Sequence, residues 1–105
     1  MDSNRTYFEA IALRKCLRAT YNRMTVTLAP HILYTRHGEL FIDAVTVERD
    51  GQPPREVKLG TFKLAGLKDV VLVDRIFTPD PLFDETDPKY AGVALFAVES
   101  AGAAA

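Results

Sequence analysis

The chain has 105 residues with a hydrophobic share of 48%, a charged share of 26% and a formal net charge of −1. That length holds one domain with a single core. The near-neutral charge excludes a strong global field for nucleic acid or acidic membranes, although a local basic patch remains compatible with it.

Cys16 is the single cysteine, so no intramolecular disulfide can form. It lies at a helix-to-strand junction and reads as a buried structural thiol. The N-terminus lacks the basic-then-apolar pattern of a signal peptide. No apolar run reaches the ~20 residues that span a bilayer. The expectation is a soluble cytoplasmic protein with no membrane partner, organised as one domain over residues 1–105, with 1–5 and 100–105 disordered.

In chain order, Thr6-Tyr7-Phe8-Glu9 matches a capping box. Phe8, Ile11, Ala12 and Lys15 follow helical spacing behind it, with Phe8 and Ile11 as the docking residues. Leu17, Ala19 and Tyr21 then alternate with Arg18 and Thr20. Asn22-Arg23 reads as a tight turn, and Met24, Val26 and Leu28 alternate with Thr25 and Thr27. This is a hairpin with one dry and one wet face. Pro30 has no N–H for a ladder and is expected to end the strand at a corner. A third strand runs over Ile32–Thr35, with Arg36-His37-Gly38 as its turn.

From Leu40 to Val47 the residues are apolar on both alternating faces, apart from Asp43 and Thr46. Such a strand is central or passes between sheets. Asp43 is then either a buried carboxylate in need of a partner, with Arg18 or Arg36 as candidates, or a residue turned to solvent at a bend. Asp50-Gly51 with Pro53-Pro54 is a strong turn signal. Arg55–Lys63 makes the next strand, in which Gly60 suggests a bulge or tight bend. A β-branched run over Val70–Val73 extends to Phe77 and is broken by Thr78-Pro79-Asp80-Pro81. One helical turn fits within Asp84–Lys89, and Val93–Val98 reads as a last edge strand. The segment Asp74–Glu99 is acidic. It is either a solvated loop or a flap over a basic face.

A capped helix followed by about five short antiparallel strands predicts a mostly β fold, a small bent barrel of the SH3-like or Sm-like type. An OB-type barrel is the competitor, but its helix falls between later strands.

The ordered set from about Phe8 to Ile76 resembles the WYL domain, a bacterial Sm-like barrel. The resemblance rests on Leu17–Tyr21, on Leu28-Ala29-Pro30, on the strand Gly38-Glu39-Leu40-Phe41-Ile42 and on Thr61-Phe62-Lys63-Leu64 followed by Leu67. It implies a ligand-sensing module that binds nucleotides or nucleic acid in transcription regulation. Leu40, Phe41 and Ile42 stand at the positions of the Trp-Tyr-Leu signature. Lys63 keeps a basic position. Gly60 and Gly66 stand where the family carries arginines, and Ala65 where an aspartate is common. Arginine grips phosphate with a planar fork, whereas lysine is a point charge. The implied affinity for an anion is therefore weak. The chain holds no helix-turn-helix pattern of its own.

The candidate ligand-binding residues are Lys63, Phe41, Arg18, Tyr21, His31, Arg36 and Lys58. They would combine stacking with phosphate contacts for a nucleotide or a short single strand. The alternative is a protein-interaction or structural β-barrel that has lost the pocket and acts through a protein partner or as a homo-oligomer. No nucleophile–base–orienter set, P-loop or dinucleotide fingerprint is present, so the expectation is a non-enzyme without cofactor. His31 and His37 have no Cys or carboxylate at ligand spacing. The group Asp80, Asp84, Glu85 and Asp87 lacks the spacing and glycine of a calcium loop.

Overall fold

The structure, a computed structural model, describes residues 4–98. It is mostly β, with one N-terminal helix. Helix α1 (Asn4–Leu13) leads into β1 (Lys15–Tyr21), β2 (Met24–Arg36), β3 (Glu39–Arg49), β4 (Leu59–Lys63), β5 (Lys68–Ile76) and β6 (Ala94–Ala97). Single 3₁₀ turns lie at Leu64–Gly66 and Pro88–Tyr90. The antiparallel sheet has the order β4-β3-β2-β1-β5, and β6 pairs with β2.

Asn4 and Arg5, expected to be disordered, are helical, and Thr6 lies inside α1 rather than capping it. The face that α1 buries is Tyr7, Ala10 and Ile11. Phe8 is 39% exposed and touches Phe96 at 5.5 Å between ring centroids. The three- and four-residue spacing of Tyr7, Ala10 and Ile11 is as helical as that of Phe8 and Ile11, and tertiary docking chose between the two stripes. The helix ends at Arg14, which takes φ 55° and whose carbonyl accepts from the Phe77 amide at 2.8 Å. This left-handed residue closes the helix and ties it to the end of β5.

The hairpin turns follow the sequence. Asn22 and Arg23 (φ 49° and 65°) join β1 to β2, and His37 and Gly38 (φ 52° and 78°) join β2 to β3. Two consecutive residues with positive φ make the turn whose twist suits a tight hairpin.

Pro30 does not end its strand. The two short strands expected on either side of it are one, β2, in which nine consecutive residues from Val26 to Tyr34 are buried. On one edge β2 pairs with β1 only as far as Leu28 and with β6 only from Ile32. Pro30 sits in the gap between these partners, where an N–H is not needed on that edge. On the other edge the register with β3 shifts between Pro30 and Ile32. The corner expected at Pro30 is thus an irregularity inside a continuous strand.

Gly60 makes no bulge: β3 and β4 run in unbroken register from Phe41↔Lys63 to Val45↔Leu59, with Gly60 opposite Ala44. A Cβ at Gly60 would meet the Phe62 ring at 3.4 Å, an ordinary contact, and nothing in the structure explains the glycine. Strand β4 starts at Leu59 rather than Arg55, so residues 53–58 form an arch between Gln52 and β4.

Six strands are present instead of about five, and the sheet is not closed into a barrel: among the described residues no ladder joins β4 to β5. It is strongly curled nonetheless. In a flat sheet β1 and β4 would lie about 14 Å apart, three strand spacings. The Tyr21 and Phe62 rings, one from each, are 5.2 Å apart in an edge contact. The core fills the curl with Leu17, Ala19, Leu28, Leu33, Ile42 and Ala44, and α1 covers one end of it.

Ile42 is fully buried at the centre of β3. Ile42→Ala is expected to destabilise by about 2–5 kcal/mol, whereas Val71→Ala on exposed β5 should stay within about 0.5 kcal/mol. Urea unfolding followed by circular dichroism measures both.

Candidate functional site

Alternation along β3 puts Glu39, Phe41, Asp43 and Val45 on one face, and the register adds Lys63 and Thr61 from β4 and Tyr34 from β2. The segment between β5 and β6 lies over this face. It carries Phe83 and Tyr90, both buried, and Lys89.

Asp43 is the centre of the face. It is 1% exposed, and its two oxygens are fully occupied. Oδ1 accepts from the Tyr34 hydroxyl at 2.7 Å and the Thr61 hydroxyl at 2.8 Å. Oδ2 accepts from Lys89 Nζ at 2.9 Å and from the Tyr90 hydroxyl. Burial acts to raise the Asp43 pKa, but these four hydrogen bonds together overcome it and hold the carboxyl below the usual aspartate value. Burial and the Asp43 carboxylate push the Tyr34 phenol up to about 12 and the Tyr90 phenol higher still. The expected arginine partners are not used. Arg18 is exposed on β1, and Arg36 is exposed at the hairpin tip.

Aromatic rings pack around the carboxylate. Tyr34 stacks on Phe41 at 6.0 Å and meets Tyr90 edge-on at 5.3 Å. Lys89 Nζ lies 5.2 Å from the Tyr90 ring centroid and 5.8 Å from that of Tyr34. Lys63 stands directly opposite Phe41 and holds Glu39 at 2.8 Å. The side chains of Lys63 and Lys89 remain 45% and 42% exposed, so both ammonium groups are reachable from water.

His31 anchors the other end of the same segment. Its Nε2 accepts from the Asp80 amide at 2.9 Å, so the ring proton is on Nδ1, which donates to the Ala29 carbonyl at 2.7 Å. Phe77 and Phe83 flank the ring at 5.0 and 5.4 Å. Burial lowers the His31 pKa below its ordinary 6.5, against smaller opposing effects from the Ala29 carbonyl and Asp80. His31 also lines a cleft of about 420 Å³ with Cys16, Val45, Val57, Ile76 and Phe77.

The structure therefore brings together Phe41 and Lys63, with Arg36 exposed on the same face opposite Glu39, and leaves Arg18, Tyr21, His31 and Lys58 apart. Tyr21 packs on Phe62, across the curl. Lys58 precedes β4 and Lys63 ends it, roughly 15 Å of extended chain away. Arg18 faces solvent between Thr27 and Val71. The acidic segment does fold over the sheet, but with the charges reversed from a flap on a basic face: its Lys89 meets an acid of the sheet. Its own acids serve local turns, with Asp80, Asp84 and Asp87 accepting from the Leu82, Thr86 and Lys89 amides. Lys89 and Tyr90 were not legible as partners of Asp43, because 46 residues and an unknown chain path separate Lys89 from it. The β3–β4 register would have found Thr61.

Among the described residues no group of three His, Cys, Asp or Glu side chains is placed to hold a metal ion, and no helix is long and apolar enough to cross a membrane. Comparison with known proteins finds no matching family model, no matching curated protein and no matching solved structure.

Three substitutions test the Asp43 cluster. Asp43→Ala should cost about 3 kcal/mol or more, since it strands a buried hydroxyl pair as well as the lysine. Tyr90→Phe should cost about 1–2 kcal/mol, and Lys89→Ala about 1–3 kcal/mol, because it takes the one cation from the buried Asp43 carboxylate and leaves Oδ2 with Tyr90 alone. Denaturant unfolding ranks the three. For His31, the folded pKa lies below the unfolded one, so the unfolded chain takes up its proton first as pH falls. Its contribution to stability is complete above pH 6.5 and declines as pH drops below that value towards the depressed folded pKa. The stability difference between the native chain and His31→Gln should shrink over this range.

Proposed function

We propose that the chain is a non-enzymatic binding module of the WYL-like kind, taking a nucleotide or a short single-stranded nucleic acid on the face that carries Phe41 and Lys63. The observation that supports this reading most is the cross-strand pair itself: a half-buried ring directly opposite a half-exposed lysine. A ring presents a surface on which any base can stack, and an adjacent ammonium neutralises one phosphate. Lys89 adds a second reachable cation on the same face.

Electrostatics sets the expected strength. Lys63 is held by Glu39 and Lys89 by Asp43, so an incoming phosphate competes with a carboxylate for each. Neither cation is an arginine. Weak, salt-sensitive binding is what such a face supports. In this reading the module acts in regulation through other proteins, in a bacterial cytoplasm.

A second reading, a protein-interaction or self-associating domain, is favoured by the two unpaired sheet edges. Among the described residues, strands β4 and β5 each pair on one side only, and β5 exposes Val71 and Ile76, the latter at 71%. Open edges of this kind accept a further strand.

Titration of a fluorescent single-stranded oligonucleotide at low and high salt, with light scattering on the same samples, separates the two. The first reading expects saturable binding at low salt that falls with salt and weakens roughly tenfold or more in Lys63→Ala. No binding at low salt, or binding untouched by Lys63→Ala, would exclude it. Concentration-dependent mass growth abolished by Val71→Lys would favour the second.

A further inference from the structure

A cluster of cations without ion pairs lies away from the Phe41–Lys63 face, at the arch over residues 53–58. Here Arg49, Gln52, Pro53, Pro54, Arg55, Glu56 and Lys58 line an open cleft of about 460 Å³. Three cations face one carboxylate. The ion pairs among the described residues are Arg5–Glu9, Lys15–Asp74, Lys63–Glu39, Arg75–Glu48 and Lys89–Asp43, and none involves Arg49, Arg55 or Lys58. Lys63 of β4 and Lys89 of the segment over the sheet each hold a carboxylate; these three form no ion pair.

The backbone is fixed at both ends of the arch. Arg49 and Gln52 exchange two hydrogen bonds, at 2.8 and 3.0 Å, around a turn in which Asp50 and Gly51 take φ 51° and 81°. The Asp50 carboxylate is turned to the Thr25 amide at 3.0 Å and does not line the cleft. Pro53 and Pro54 stiffen the start of the arch by fixing φ. Leu59 then returns it to the sheet opposite Val45.

We propose that this cleft is an anion site for a linear oligophosphate, free or carried by a nucleoside. Two arginine forks and an ammonium match the bidentate and point-charge contacts that phosphate oxygens accept. The volume lies in the range of small-molecule sites and exceeds the needs of one orthophosphate. No aromatic residue lines the cleft, so it offers a base nothing to stack on. Recognition is by the phosphates. Glu56 in the lining repels any anion, and the ligand that gains is one long enough to touch all three cations at once, whose combined attraction outweighs the single carboxylate. The site shares no residue with the Phe41–Lys63 face and stands independently of the function proposed there.

Calorimetric titration of the full chain with inorganic tripolyphosphate at low salt tests it, with a nucleoside triphosphate and orthophosphate as further arms. One saturable site for tripolyphosphate is expected, with orthophosphate at least tenfold weaker. Arg49→Gln and Arg55→Gln should each weaken binding about tenfold or more, and Lys58→Gln less. All three positions are exposed, so the variants should melt like the native chain, and the melts are recorded alongside. Equal affinity for the nucleoside triphosphate supports recognition through phosphate alone; clearly tighter binding of it overturns that assignment. Lys63→Ala should leave tripolyphosphate binding intact, which separates this site from the Phe41–Lys63 face. Absence of saturable binding, or a triple variant that binds as well as the native chain, overturns the proposal.

Discussion

A carboxylate sealed from water dictates much of this structure. Asp43 sits in the middle of β3, where its neighbours Ile42 and Ala44 are fully buried, and it cannot remain charged there without donors. The fold supplies four, from β2, β4 and the segment over the sheet. No two adjacent elements alone suffice. Satisfying the charge therefore specifies how three separate parts of the chain approach one another. The aromatic packing follows: Tyr34 and Tyr90 are brought to the carboxylate by their hydroxyls, and their rings then meet each other edge-on, with Tyr34 also on Phe41 and Tyr90 on Phe83.

The second constraint is the length of β2. A strand buried on both faces needs partners along both edges, yet Pro30 lacks one donor in the middle of it. The chain resolves this by changing partners at the proline, with β1 before it and β6 after it. The interval between the two partners exposes the ring of His31 to the segment after β5, and its Nε2 receives the Asp80 amide. The first part of that segment is thus fixed by a neutral imidazole and its last part by a carboxylate. Both anchors are buried acceptors, and the donors come from the segment. An irregular stretch with few apolar residues is held down by polar contacts because it buries only Phe83 and Tyr90 between Pro81 and Ala91.

The sequence made the elements more legible than their connections. Two-residue turns at Asn22-Arg23 and His37-Gly38 are local, and the residue types that tolerate positive φ announce them. Alternation along β1 was equally plain. Pro30 misled because a proline is a strand breaker only where both edges of the strand are paired, and edge pairing is a tertiary fact. Phe8 misled because two helical stripes were available and only docking decides which is buried. At the candidate face, Phe41 and Lys63 were legible because a hairpin sets their register. Lys89 and Tyr90 were not, because no periodicity links the middle of a strand to a 3₁₀ turn 46 residues later.

The distribution of paired and unpaired charge bears on function more than the total does. A chain with formal net charge −1 offers no global attraction for an anion. It pairs Lys63 and Lys89 on the aromatic face, where a ligand must exchange one carboxylate for another group of like charge, and the net gain from each contact is small. At the arch, by contrast, Arg49, Arg55 and Lys58 form no ion pair among the described residues and outnumber Glu56, the one carboxylate of the lining. In water an exposed cation is well solvated, and three of them near one another repel. Holding them together on a backbone stiffened by Pro53 and Pro54 is mildly unfavourable for the free protein, and an anion that enters removes that repulsion while adding its own contacts. The same ligand charge is thus worth more at the arch than at the face, whichever surface the base or partner occupies.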